Sequence, residues 1–174
     1  MHSRAIAAMA LASCFGTGVG LTAQSVAPRA PGASEPPPPP VTWSLALAPG
    51  AQARAGGVFT AIVRAKIEAG WHVYAIGQRP GGPIALTIVV PEDPTFSRSA
   101  PVVEPAPRKT FDMAFGIDTL FHTTAAAFAL PVRVAAGAAK RAHPLRVEVE
   151  FQACKDTLCL PPATTVLKLD VAVG

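Results

Sequence analysis

Two cysteines five positions apart are the residues whose type and spacing point most directly to chemistry. Cys154 and Cys159 are separated by four residues, and Cys154 directly follows a segment of alternating polar and apolar residues. If the two face each other in a hairpin, their Cα atoms lie about 4.5–5.5 Å apart, which allows a disulfide. Such a local disulfide either clips a turn or exchanges with the thiolate of another protein.

The position of the pair does not separate these two functions. A disulfide stabilises mainly by restraining the unfolded chain, and because the gain grows with loop length, this short loop contributes little. Counting back along the alternation, Cys154 shares a face with Gln152 and Glu150, which places it on the polar side unless a bulge intervenes. On physical grounds an exchangeable disulfide and a structural clip are about equally supported.

Other cysteine chemistries need partners that the sequence does not supply. His72, His122 and His143 show no ligand spacing to the cysteine pair, so a zinc site is a minor alternative. A cysteine protease needs a lone activated thiol beside a histidine, whereas these two thiols are close enough to pair. We therefore expect no metal and no cofactor.

The N-terminal part of the chain predicts export followed by a tether. Residues 1–23 have a charged start, a short apolar segment and small residues at the end, as in a signal peptide. Residues 11–14 also resemble a lipoprotein box with Cys14 as the lipidated residue, although we favour ordinary cleavage. Residues 24–41 include five consecutive prolines, which favour an extended linker. The rest of the chain is therefore expected outside the cytoplasm, in a periplasmic or other extracytoplasmic location where disulfides persist, with membrane anchoring through Cys14 as the alternative.

The overall composition excludes two further classes of protein. Apolar residues make up 50% of the 174 residues and charged residues 15%, which is not the composition of a disordered chain. The net charge of +4 comes from scattered basic residues, so we expect no nucleic-acid partner. After the N-terminal segment, no stretch of about 20 apolar residues is long enough to span a membrane.

From residue 42 onward, apolar residues recur with a period of two, which is typical of half-buried strands. The alternation predicts strands at residues 43–48, 58–68, 71–75, 84–90, 117–122, 126–134, 144–153 and 166–173. Eight short strands without an amphipathic helix predict an all-β sandwich over residues 42–174. Because Pro131 interrupts one strand pattern, we expect that strand to lie at a sheet edge or to be bulged.

The segment 151–162 resembles the active-site hairpin of a known family. Its sequence, FQACKDTLCLPP, is similar to that of the N-terminal periplasmic domain of the thiol:disulfide interchange protein DsbD. Residues 70–74 and 80–83 are similar to an early strand and loop of this family, and residues 111–116 are similar to its cap loop. The resemblance covers approximately residues 43–171.

The resemblance implies an immunoglobulin-like sandwich with a redox-active disulfide that relays electrons from a membrane donor to periplasmic thiol oxidoreductases. It implies that Cys159 forms mixed disulfides with partners and that Cys154 resolves them. Asp112 matches an acidic residue near the pair that can take part in proton transfer. The remaining implied residues line or cap the site: Tyr74, His72 and Phe115, with Met113 as the alternative cap.

The resemblance also sets the expected partners. Full-length members continue into a membrane domain and a thioredoxin-like domain, so we expect a membrane-embedded thiol reductase domain to act in trans as the donor. The expected clients are periplasmic thioredoxin-like or disulfide isomerase proteins. The alternative is a non-enzymatic immunoglobulin-like binding or scaffold module. An exposed apolar surface around Cys159 favours the relay, whereas a buried, inaccessible pair favours the scaffold.

Overall fold

The computed structural model describes residues 38–113 and 115–174, which form an all-β structure. Within these residues, twelve strands form three antiparallel sheets. The strands are β1 (Val41–Leu47), β2 (Val58–Ile67), β3 (His72–Tyr74), β4 (Thr87–Val89), β5 (Phe96–Arg98), β6 (Arg108–Asp112), β7 (Ile117–Thr123), β8 (Ala125–Val134), β9 (Ala142–Phe151), β10 (Ala153–Lys155), β11 (Leu158–Cys159) and β12 (Ala163–Ala172). No helix among the described residues is long and apolar enough to cross a membrane.

The N-terminal predictions fall largely outside this part of the chain. The signal segment at residues 1–23, including Cys14, and the linker up to residue 37 lie outside the described residues. Val41, the last residue of the predicted linker, is already the first residue of β1.

The three sheets share one hydrophobic core, and the predicted all-β sandwich is confirmed. The strand orders are β1-β2-β8-β5, β12-β9-β4 and β11-β10-β3-β7-β6. The first sheet contributes the fully buried Val63 and Phe128, the second contributes Val147, and the third contributes Val73. Because side chains alternate along each strand, one face of each sheet packs on this core.

The alternation identified the strands that show a clear period of two and missed those that are too short or too exposed to show one. Each of the eight predicted strands overlaps an observed one. By contrast, β5, β6 and β11 were missed. β5 and β11 are only three and two residues long, and β6 (RKTFD) is largely exposed and shows no alternation. Short or solvent-facing edge strands carry little periodic signal, because burial is what selects the apolar positions.

The prediction for Pro131 is wrong. Its strand, β8, lies between β2 and β5, and the register with β2 runs without a bulge from Val58 to Lys66. The carbonyl of Pro131 accepts a hydrogen bond from the amide of Ser99, just beyond the end of β5. In an antiparallel sheet, the backbone nitrogen and carbonyl of one residue point to the same neighbouring strand. The nitrogen of Pro131, which has no N–H to donate, therefore points toward Ser99, where β5 has already ended.

Gly70 holds the turn before β3 in a backbone conformation that other residues avoid. Its φ is 84°, and a Cβ atom there would lie 3.1 Å from Cε of Lys155 in the cysteine hairpin. We expect Gly70→Ala to lower the free energy of unfolding by about 1–2 kcal/mol, because left-handed backbone penalises a Cβ. Urea denaturation measures the loss. Gly77→Ala is the matched control, since a Cβ there meets no atom within 4 Å; equal midpoints for the two variants would contradict the prediction.

Candidate active site

The strand that leads to the cysteines changes sheet just before it reaches them. β9 ends at Phe151, which pairs with β12, whereas β10 begins at Ala153, which pairs with β3. Gln152 lies between the two strands, and its side-chain nitrogen donates a hydrogen bond to the carbonyl of Leu160 (3.1 Å). The change of sheet leaves the alternation intact: Ala153 faces the core like Phe151, and Cys154 lies on the opposite face. Even so, only 1% of Cys154 is exposed.

The two cysteines face each other across the β10–β11 hairpin and form a disulfide. Cys154 and Cys159 are paired in register, with their Cα atoms 4.1 Å apart. Asp156 in the connecting turn has a φ of 51°, a left-handed conformation that aspartate tolerates better than most residues. Cys154 is buried, but Cys159 is only partly buried and follows Leu158, which is 60% exposed. Cys159 is therefore the more exposed of the two cysteines.

The strand register places His72 and Tyr74 on the same face of the five-stranded sheet as the disulfide. His72 is the cross-strand partner of Cys154, and Tyr74 lies two residues further along β3. Paired residues share a face and alternate residues return to it, so His72, Tyr74 and the disulfide project to one side. The residues between them, Val73 and Ala153, point to the core.

A hydrogen bond links Tyr74 to the far edge of this sheet. The Tyr74 hydroxyl donates to Oδ2 of Asp112 at 2.9 Å, joining residues 38 positions apart. Only 2% of Tyr74 is exposed. Burial, together with the hydrogen bond and charge of Asp112, raises the pKa of Tyr74 well above its ordinary value, so the hydroxyl stays protonated and continues to donate.

The segment between β6 and β7 covers Tyr74. The ring of Phe115 meets the ring of Tyr74 edge to face, with centroids 6.2 Å apart. Gly116, with a φ of 67°, closes the turn by donating its amide proton to the carbonyl of Asp112 (2.8 Å). Met113 is 84% exposed. Of the two predicted cap residues, Phe115 is therefore the one whose ring packs on Tyr74.

His72 lies between aromatic rings at the edge of a groove. Its ring centroid is 5.2 Å from that of Tyr74 and 5.2 Å from that of Phe121. Burial lowers the pKa of His72, and the nearby carboxylates of Asp112 and Asp156 partly oppose this shift. His72, Phe121 and the two carboxylates help to line a groove of about 240 Å³ beside the hairpin turn.

All six predicted site residues thus lie in one region, although their roles stay predictions. Phe121, which pairs with Tyr74 and contacts His72, was not singled out from the sequence, because nothing distinguishes it from other apolar strand residues until its partner is known. His122 and His143 are buried elsewhere. His122 forms a hydrogen bond with Glu104, and His143 forms one with the carbonyl of Ala139. These two histidines contribute to packing rather than to the face that carries the disulfide.

The single tyrosine of the chain allows a direct test of the Tyr74–Asp112 pair. We expect no tyrosinate absorbance from the folded protein at about pH 10, the ordinary pKa of tyrosine, whereas the urea-unfolded chain ionises there. Above that pH the unfolded state binds fewer protons than the folded state, so stability should fall as pH rises. Asp112→Asn should lower the folded pKa while leaving burial unchanged. Half-ionisation of the folded wild type near pH 10 would contradict the prediction.

A disulfide on a hairpin with one partly exposed cysteine can be attacked by a thiolate, so the site fits the class of thiol–disulfide exchange domains. The family model described as "Thiol:disulfide interchange protein DsbD, N-terminal" matches residues 45–171. The chain therefore belongs to this family of DsbD N-terminal domains, whose members interact with thiol–disulfide partners. The predicted family is confirmed.

Two solved structures resemble the chain. The N-terminal periplasmic domain of ScsB from Proteus mirabilis matches with 17% identity and a TM-score of 0.52, covering 79% of this chain and 49% of that one. The DsbD N-terminal domain of Neisseria meningitidis in the reduced form matches with 21% identity and a TM-score of 0.44, covering 70% and 80%. At its identity, the ScsB likeness shows the fold alone. No curated protein sequence matches the chain significantly.

Proposed function

We propose that this domain relays electrons in the periplasm through its Cys154–Cys159 disulfide. A membrane-embedded thiol reductase domain supplies the electrons, and thioredoxin-like or disulfide isomerase proteins receive them, so the domain is a component of a protein-disulfide reductase system. The observation that carries the proposal is the unequal exposure of the pair, with Cys154 buried and Cys159 accessible. Membership in the DsbD N-terminal family supports it, and so does the periplasmic location of the similar ScsB domain.

The relay consists of thiol–disulfide exchanges in which electrons and atoms balance. A donor thiolate attacks Sγ of Cys159, forming a mixed disulfide while the Cys154–Cys159 bond breaks. The electron pair of the broken bond goes to Cys154, which takes up a proton. The second thiolate of the donor then attacks the donor sulfur that is joined to Cys159. This step releases Cys159, so that the donor is oxidised and the domain is reduced. Transfer to a client disulfide runs the same steps in reverse.

Exposed apolar side chains near Cys159 provide a docking surface for these partners. Leu158 precedes Cys159, while Phe111 (57% exposed) and Met113 line the groove that the hairpin turn also lines. Exposed apolar clusters of this kind are typical of sites where partner proteins bind. The apolar surroundings of Cys159 favour the relay over a scaffold module whose disulfide is only a clip.

The reduction potential of the disulfide tests the proposal. The purified protein is equilibrated with mixtures of reduced and oxidised glutathione or dithiothreitol, and the free thiols are trapped and counted by mass spectrometry. We expect a potential in the range of proteins that exchange disulfides, roughly −120 to −270 mV. A value well below about −300 mV marks a structural bond that cellular reductants hardly reach, and the scaffold alternative would then hold.

A further inference from the structure

The burial of Cys154 creates a chemical requirement that the disulfide alone does not meet. When Cys159 is joined to a client, Cys154 must lose its proton before it can attack, because the thiolate is the nucleophile. A free cysteine has a pKa of about 8.5, and burial disfavours the charged form further. Cys154 is 1% exposed, so solvent water has little access to its proton. A base on the protein is needed next to it.

The register of β3 and β10 places one base beside Cys154. His72 faces Cys154 directly across the two strands, and directly facing residues have Cβ atoms about 4.5–5.5 Å apart. Thr123 of β7 faces His72 on its other side and does not titrate. His72 is therefore the titratable residue of the described chain that is paired across strands with the buried sulfur.

The other charged and titratable groups around His72 either form a hydrogen bond with each other or are not paired with Cys154 in the strand register. The hydroxyl of Tyr74 on β3 donates a hydrogen bond to Asp112 of β6. Asp112 and Asp156 of the hairpin turn act on His72 through their charges. On β7, the neighbouring side chain is the uncharged ring of Phe121. None of these three titratable groups shares the cross-strand pairing of His72 with Cys154.

We propose that His72 is the general base that takes the proton from Cys154 in the step that resolves the mixed disulfide. The proposal rests on the proposed relay function. The Cys154 proton moves to a neutral imidazole nitrogen, and the thiolate attacks Sγ of Cys159. The Cys154–Cys159 bond forms, the bond from Cys159 to the client breaks, and its electron pair leaves with the client sulfur. The imidazolium then returns its proton to water. In the opposite direction, the imidazolium protonates Cys154 as it leaves.

The surroundings of His72 suit both halves of this cycle. A base must be neutral before it accepts a proton, and burial lowers the pKa of His72, which keeps the neutral form dominant at neutral pH. Asp112 and Asp156 attract the imidazolium once it forms. Contacts with Tyr74 and Phe121 hold the ring on the face that carries the disulfide.

Ellman's reagent separates the two chemical steps in the reduced protein. Attack by Cys159 releases one thionitrobenzoate anion, and resolution by Cys154 releases the second, so stopped-flow absorbance records two phases. We expect His72→Gln and His72→Phe to slow the second phase by roughly 10²-fold at neutral pH, the lower end of general-base contributions, and to leave the first phase unchanged. In the wild type, the second phase should slow at acid pH as His72 takes up a proton, and both variants should lack this titration.

Two controls make the outcomes distinct. His72→Phe keeps a ring between Tyr74 and Phe121, so slowing in both variants reflects loss of the base rather than loss of packing. Thr123→Val changes the other cross-strand neighbour of His72 and should keep the wild-type second phase. A second phase that is unchanged in both His72 variants overturns the proposal but leaves the relay function intact. Absence of the first phase in the wild type overturns both.

Discussion

Cys154→Ala is expected to accumulate a stable mixed disulfide with a disulfide probe, whereas Cys159→Ala is expected to form almost none. In the proposed relay the more exposed Cys159 attacks, and without Cys154 nothing resolves the adduct, which then persists on the scale of minutes to hours. In Cys159→Ala, the remaining thiol is that of Cys154, which is buried. Because exchange depends on access to the thiolate, we expect about 100-fold slower adduct formation in Cys159→Ala.

Oxidised glutathione is the probe, and mass spectrometry of the intact protein measures the fraction that carries one glutathione. Alanine is preferred to serine because Cys154 is 1% exposed, and serine would bury a hydroxyl there. The variant with alanine at both Cys154 and Cys159 is the blank. Equal adduct formation by the two single variants would show that the unequal burial of the cysteines does not direct the chemistry.

Phe115→Ala is expected to speed reduction of the disulfide by dithiothreitol at least about tenfold, because exchange rates depend on access to the attacked sulfur. The ring of Phe115 covers Tyr74, which lies on the same face of the sheet as the disulfide. Removing the ring opens that face to solvent and reagents. The same substitution should expose Tyr74 and lower its pKa, since burial is the largest cause of the raised value.

Met113→Ala is the control for this prediction, because Met113 lies in the same turn and is 84% exposed. Dithiothreitol reduction is followed by trapping the free thiols, and the tyrosine pKa is followed by absorbance in the same samples. If Phe115→Ala lowers the pKa of Tyr74 but does not speed reduction of the disulfide, Phe115 packs on Tyr74 without shielding the disulfide. Faster reduction in Met113→Ala but not in Phe115→Ala would assign the cap to Met113.

The fold was predictable from the sequence wherever burial selects the residue type. On β9, Val147 and Val149 are fully buried while Arg146 and Glu150 are exposed, as the alternation predicts. The same logic fails at β6, where exposed residues carry no period. It also fails for Pro131, because the position of β8 inside its sheet depends on β2 and β5, which are distant in sequence.

The disulfide partner and the family were also within reach of the sequence, because the cysteine spacing and the motif around it are local features. The burial of Cys154 was not, because Cys154 lies on the face opposite the core, where alternation by itself predicts exposure. Whether such a face is covered depends on segments that are distant in sequence.

By itself, the sequence determined where the longer core strands lie, that the spacing of the two late cysteines allows them to pair, and which family the chain resembles, because these depend on local periodicity, short-range spacing and local motifs. Only the tertiary structure decided that His72 faces Cys154, that Tyr74 donates to Asp112 from 38 positions away, and that one sulfur is covered while the other is reachable. The reason is that strand order and register are set by packing between distant segments, and no local pattern records the neighbour that a strand will have.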